Sequence, residues 1–296
     1  MFNYLINILG LNLNIFNFQN IVLLAIALFW LIFASVQDFK RREVENWWSF
    51  SLIVIVLAFR AFFSLQEKSW SFFIWGLIGI VVGFALSEIF YYSRIFAGGD
   101  AKLLMALGPI LMLSGDWRVN LFIVIGFIVL FLLSGGLYGL IYTKFLVIFN
   151  FRAFRKEFSK QFSKNMKIAY ILEVISILLF FICYSFGFYV GEVLCLILFV
   201  SPILFLYAKA VEESCMNKFV DVSLLTIGDW LINNVKVRIN GKIKIIKPNW
   251  EGLSEKELNF IQKNYKRKVL IRNGIPFVPA FLFAIILLII LMYLLI

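Results

Sequence analysis

The sequence contains no histidine. That absence removes Ser–His–Asp triads, Cys–His dyads and the H-E-x-x-H zinc site as sources of catalysis. Cysteine is scarce: Cys183, Cys195 and Cys215 are the three in the chain, no pair has C-x-x-C spacing, and two stand in apolar runs. A thiolate metal site is therefore not expected, and no metal or cofactor is expected to be needed. Acidic residues are few, 17 against 28 Lys and Arg, so any acid–base chemistry falls to a small set of carboxylates. Met1–Asn20 holds neither Lys nor Arg, which speaks against a cleavable secretory signal with its charged n-region.

Apolar residues are what the sequence has in excess. They make up 62% of its 296 residues, against about 45–50% in ordinary soluble domains. They gather in runs such as Ile21–Val36, Phe72–Leu86 and Phe277–Ile296. Runs of about 18 or more can cross a bilayer as helices, the form that satisfies every backbone polar group in lipid. The expected fold class is an all-α polytopic membrane protein of about eight transmembrane helices. The spans run roughly Asn20–Gln37, Trp47–Phe63, Ser71–Tyr92, Ala101–Leu113, Val119–Tyr142, Ile168–Phe186, Phe188–Tyr207 and Ile275–Ile296. Gly187 and Gly191 mark the turn between the sixth and seventh.

Orientation follows from the loops. Those after spans one, three, five and seven carry 25 Lys and Arg, including seven from Lys144 to Lys167; the opposite loops carry 2, Lys68 and Arg118. The basic loops are expected in the cytoplasm. The net charge of +11 then needs no nucleic-acid partner and suits anionic lipid headgroups. Residues 209–273 form a small α+β cytoplasmic insert. Val235–Ile239 and Lys242–Ile246 flank an Asn240-Gly241 hairpin turn, Ser254–Glu257 is a capping box, and Lys268–Arg272 is a further strand. The expected organisation is a bundle over 1–208, the insert over 209–273 and a final helix over 274–296.

Two carboxylates stand out. Asp38 closes span one, ahead of Arg41, Arg42 and Asn46-Trp47; Asp100 follows Gly98-Gly99 and opens span four. The loop charges put both at the cytoplasmic boundary. Two carboxylates at one depth are the minimum equipment for aspartic proteolysis: one ionised to take a proton from water, the other protonated to polarise the scissile carbonyl. Close like charges produce that split. Gly98 and Gly99 would let the backbone turn sharply and leave room for an extended substrate strand. The blander reading of either aspartate alone is a solvated helix end or an N-terminal cap.

The paired segments resemble the prepilin and preflagellin peptidases, a GxGD-type group of intramembrane aspartic proteases. Arg42-Glu-Val-Glu-Asn46-Trp47 is similar to the stretch after the first aspartate, with Glu45 where the family has proline. Gly99-Asp100-Ala-Lys102-Leu-Leu-Met-Ala-Leu-Gly108 is similar to the second motif from its second glycine onward; Ala97 departs from it. Gly274–Phe281 resembles the start of the family's last helix. The insert looks like that of archaeal members, and the Cys-rich loop of many bacterial members is missing. The resemblance implies catalysis by Asp38 and Asp100. It implies removal of a short basic leader from pilin-like or archaellin precursors at the cytoplasmic face of an archaeal plasma membrane.

Supporting roles fall to weaker candidates. Lys102 could tune the pair or snorkel to headgroups. Glu43 and Glu45 could receive a basic leader or pair with Arg41 and Arg42, and Asn46 belongs to the first motif. A competing reading makes Asp38 and Asp100 a cation or proton path of a transporter, but no repeat or broken mid-membrane helix is visible. A non-catalytic scaffold or a presenilin-like protease are further alternatives; the latter normally has Tyr before its first aspartate, where this chain has Gln37.

Overall fold

A computed structural model describes residues 15–239 and 242–295. In chain order the helices are α1 (Phe18–Arg41), α2 (Asn46–Gln66), α3 (Ser71–Tyr92), α4 (Gly98–Leu111), α5 (Trp117–Phe149), α6 (Phe151–Ser185) and α7 (Tyr189–Cys215). There follow β1 (Asn217–Val220), β2 (Trp230–Leu231), β3 (Val235–Ile239), β4 (Lys242–Ile246), α8 (Glu255–Asn264), β5 (Val269–Arg272) and α9 (Val278–Leu294). Among the described residues six helices, α1–α3 and α5–α7, are long and apolar enough to cross a membrane. α4 has 14 residues and spans about 21 Å, short of the roughly 30 Å hydrocarbon core; α9 has 17. The final helix starts at Val278 rather than 275, because Pro276 turns Ile275 away from helical geometry.

Two compact units form. One holds the chain up to Leu140 together with the stretch from Ile275; the other is Ile141–Gly274. In the first, the core runs through Leu23, Leu31, Leu52, Leu107, Phe127 and Ala284. Large apolar side chains also cover its outside, among them Val54 at 65% and Val81 at 67% exposure. Such a surface suits lipid, not water.

Local chemistry explains how these helices meet. Trp30 and Trp48 staple α1 to α2: each indole N–H donates to the other's backbone carbonyl, at 3.1 and 3.2 Å, and the rings stack 5.1 Å apart. α3 meets α4 backbone to backbone. A Cβ at Gly108 would stand 2.1 Å from the Gly79 carbonyl oxygen, and one at Gly83 2.8 Å from that of Met105. Small residues spaced four apart allow this close approach between apolar helices.

In the second unit, α6 and α7 form an antiparallel hairpin turning at Gly187, which holds φ +64. The basic stretch from Lys144 to Lys167, expected as a loop, is helical apart from Asn150: α5 continues to Phe149 and α6 begins at Phe151. The stretch has no Pro or Gly, and Phe154, Phe158 and Phe162 recur at helical spacing. Phe154 and Phe158 stack at 5.6 Å, and Phe154 packs on Tyr207 of α7. Beyond α7, β1, β5 and β2 form an antiparallel sheet in that order, and β3 pairs with β4. Val235, Val237 and Ile246 share the buried face of the hairpin with Leu258 and Ile261 of α8. The expected turn at Asn240-Gly241 lies outside the described residues. The Ser254–Glu257 capping box is present at the start of α8.

Candidate active site

Asp38 stands in the last turn of α1, where the helix dipole is unfavourable to a carboxylate. It is nevertheless 5% exposed. Compensation comes from the start of α9: the Val278 N–H donates to Asp38 Oδ2 at 2.9 Å, and the Phe277 N–H also donates to this carboxylate. Val278 is the first residue of α9, so Asp38 faces the positive end of that helix. α1 closes immediately afterwards. Arg42 adopts a left-handed conformation, φ 57, and its N–H returns to the Asp38 carbonyl at 2.7 Å.

Asp100 occupies the first turn of α4 and is half-buried. Its carboxylate accepts a hydrogen bond from the N–H of Ala97, the residue that caps the helix. The sharp reversal into α4 is not made by the glycines. Arg94 takes the left-handed position, φ 59, and Ile95 donates to the Phe90 carbonyl at 3.0 Å, closing α3. Gly98 and Gly99 are ordinary helical residues. A Cβ at Gly99 would meet Val44 N and O only at van der Waals distance, 3.9 and 4.0 Å. α1 and α4 touch, and Asp38 and Asp100 are near enough to feel each other's charge.

Both aspartates fall inside the stretch of residues 25–144, which matches the model of the type IV leader peptidase family. Over that region, which is less than half of its length, the chain is similar to the type IV leader peptidase family. A preflagellin peptidase of Methanococcus maripaludis is 38% identical over 80 residues, 27% of this chain and 34% of that protein. One from Methanocaldococcus jannaschii is 30% identical over 81 residues, 27% of this chain and 34% of the relative. One from Methanococcus voltae is 31% identical over 87 residues, 29% of this chain and 37% of the relative. The chain thus matches about a third of the length of each curated relative. No solved structure matches.

Within residues 25–144 the supporting candidates sort differently. Lys102 of α4 donates to Asn46 Oδ1 of α2 at 2.7 Å, joining the two motifs. Glu45 is engaged by Arg41 and by the Trp47 indole N–H. Glu43 is exposed in the α1–α2 linker. Among the described residues no group of three or more His, Cys, Asp or Glu could hold a metal ion.

Two features of the site escaped the sequence reading. The first is the hydrogen-bonding start of α9, which the sequence shows only as a resemblance of Gly274–Phe281 to the start of the family's last helix. The second is a phenylalanine cluster that locks the α3–α4 connection to α5 and α9. Phe96 stacks on Phe90 at 4.8 Å and meets Phe281 at 5.7 Å; Phe131 meets Phe281 at 4.4 Å and Phe277 at 5.6 Å. Its one signal in sequence is Phe96, the single aromatic in the Ser93–Ala97 connection.

Proposed function

We propose that the protein is a membrane-embedded aspartic endopeptidase that removes the short basic leader from pilin-like or archaellin precursors at the cytoplasmic face of an archaeal plasma membrane. The observation that carries this reading is that Asp38 and Asp100, from two separate motifs, lie near enough to feel each other's charge, within the stretch that matches the leader peptidase family. Two carboxylates this near cannot both ionise cheaply, so one proton is shared between them. The ionised member takes a proton from water, and the water attacks the scissile carbonyl. The protonated member donates to the carbonyl oxygen, and the resulting intermediate collapses with the proton delivered to the leaving amine. Aspartate chemistry of this kind needs no metal.

α4 and α9 are read here as the remaining two of eight spans. The cytoplasmic placement is supported by the loop charges, which gather 25 of 28 Lys and Arg on one side. The names of the curated relatives support an archaellin-type precursor. The transport reading receives no support from the comparisons. Co-expression with an archaellin or pilin precursor, followed by gel shift of the leader, tests the proposal. Asp38→Asn and Asp100→Asn are each expected to abolish processing with membrane insertion intact. The double variant should be no worse than either single one. Full processing by either single variant rules the reading out.

A further inference from the structure

Arg60 is completely buried in α2, and among the described residues no carboxylate is a hydrogen-bond partner of it. One guanidinium nitrogen donates to the Phe72 carbonyl of α3 at 2.7 Å. Another donates to the carbonyl of Met112, the residue that ends α4. The guanidinium carbon lies 4.3 Å over the Phe72 ring. Gly76 makes space for it: a Cβ there would stand 2.5 Å from Arg60 Cδ. An ionisable group at such depth is costly, and a lone buried cation is not explained by packing alone.

Its position relative to Asp100 suggests a task. α4 carries Asp100 in its first turn and packs on α3 through glycine backbone, at Gly79, Gly83 and Gly108. A backbone-to-backbone contact has no interlocking side chains there to resist sliding along the helix axis. Along the α3 face the depth of α4 is therefore held at its ends, and α2 reaches both; Asn20 of α1 also donates to the Leu113 carbonyl just past the far end, and the Phe96 cluster grips the near one. Near Asp100, Asn46 accepts from Lys102; at the far end, Arg60 donates to Met112. α2 in turn follows Asp38 through the short Arg42–Glu45 linker. We propose that Arg60 is a positioning residue that sets the depth of Asp100 against Asp38 from the opposite end of α4. The consequence for cleavage rests on the peptidase reading; the positioning itself does not.

The test has two arms. In the first, cleavage by the full-length protein is measured for Arg60→Gln, Arg60→Lys and Gly76→Ala. Arg60→Gln should lower kcat about tenfold or more with KM unchanged, since small misplacements of reacting groups are costly. The limbs of its pH–kcat profile should draw together, because wider separation weakens the mutual repulsion. Lys keeps the charge but cannot span two carbonyls, so its effect should be intermediate. Gly76→Ala, which displaces the guanidinium without removing it, should reproduce Arg60→Gln, and the two combined should be no worse.

In the second arm, Asp38→Cys and Asp100→Cys are combined in a background with Cys183, Cys195 and Cys215 replaced by Ser. The rate of bridging by a short bis-methanethiosulfonate is then followed. Arg60→Gln should slow it several-fold. This arm needs no peptidase activity, so it stands if the functional reading falls. Unchanged bridging in Arg60→Gln overturns the proposal, as does failure of the parent pair to bridge. A uniform loss of folded protein, with kcat per folded molecule unchanged, also overturns it.

Discussion

The carboxylate of Asp38 accepts a hydrogen bond from the backbone N–H of Val278, 240 positions later in the chain, at 2.9 Å. The contact places a helix start opposite a helix end. It gives the acid a donor that no side chain could titrate away, and it ties α9 to the site.

Disturbing that donor should impair the site ahead of the fold. A Cβ at Gly135 would stand 2.8 Å from Phe277 Cζ, and Phe277 adjoins Val278. Gly135→Val should push the Phe277 ring within its aromatic cluster and shift the start of α9. Leader cleavage is expected to fall about tenfold, with only a modest drop in melting temperature. Cleavage equal to the parent's would show that the start of α9 is not needed where it stands.

The α3–α4 contact should tolerate nothing larger than hydrogen. Gly108→Ala places a methyl against the backbone of Gly79 and should destabilise the protein by about 3 kcal/mol or more. Gly136, inside α5, has nothing among the described residues within 4 Å of an added Cβ. There the same substitution should be neutral or stabilise by up to about 1 kcal/mol. Thermal unfolding in detergent separates the two.

The bridge between Lys102 and Asn46 joins the two motifs and should behave as one element. Asn46→Ala and Lys102→Met are each expected to lower cleavage a few-fold, and the double variant no further. Additive losses in the double-mutant cycle would show that the two act separately.

In the second unit, burial pushes the Asp229 carboxyl up from its ordinary value, against the pull of the Thr226 N–H. A raised folded value means that its stabilising share is full below the unfolded value, about 3.9, and is lost as pH rises through the folded one. Asp229→Asn carries no such dependence. The variant should therefore gain on the parent in melting temperature between about pH 4 and pH 7. A difference that stays flat with pH would rule out this cost.

Much of the scaffold was legible because lipid imposes a simple rule on sequence: long apolar runs become helices. The aspartates were legible because a chain without histidine leaves few other acids or bases. Other features were hidden for physical reasons. Lys144–Lys167 looked like a loop because charge density masks the spacing of Phe154, Phe158 and Phe162, which becomes meaningful only when Tyr207 is there to receive it. Gly98 and Gly99 drew the turn assignment that belongs to Arg94, since a left-handed arginine leaves no mark in sequence. The place of Arg60 leaves no mark in sequence because its partners are main-chain carbonyls, which any residue supplies. The Asp38–Val278 contact depends on how α1 and α9 pack, which no local pattern encodes.

That last contact carries a consequence for biosynthesis. The ribosome delivers Asp38 early, yet the amide that receives it is made 240 residues afterwards. Through that interval the carboxylate has water or headgroups for company, and the groove meant for α9 stays open. Completion of the site is thus timed by translation itself, and a transcript that stops short of codon 278 yields both aspartates without the helix that steadies the first.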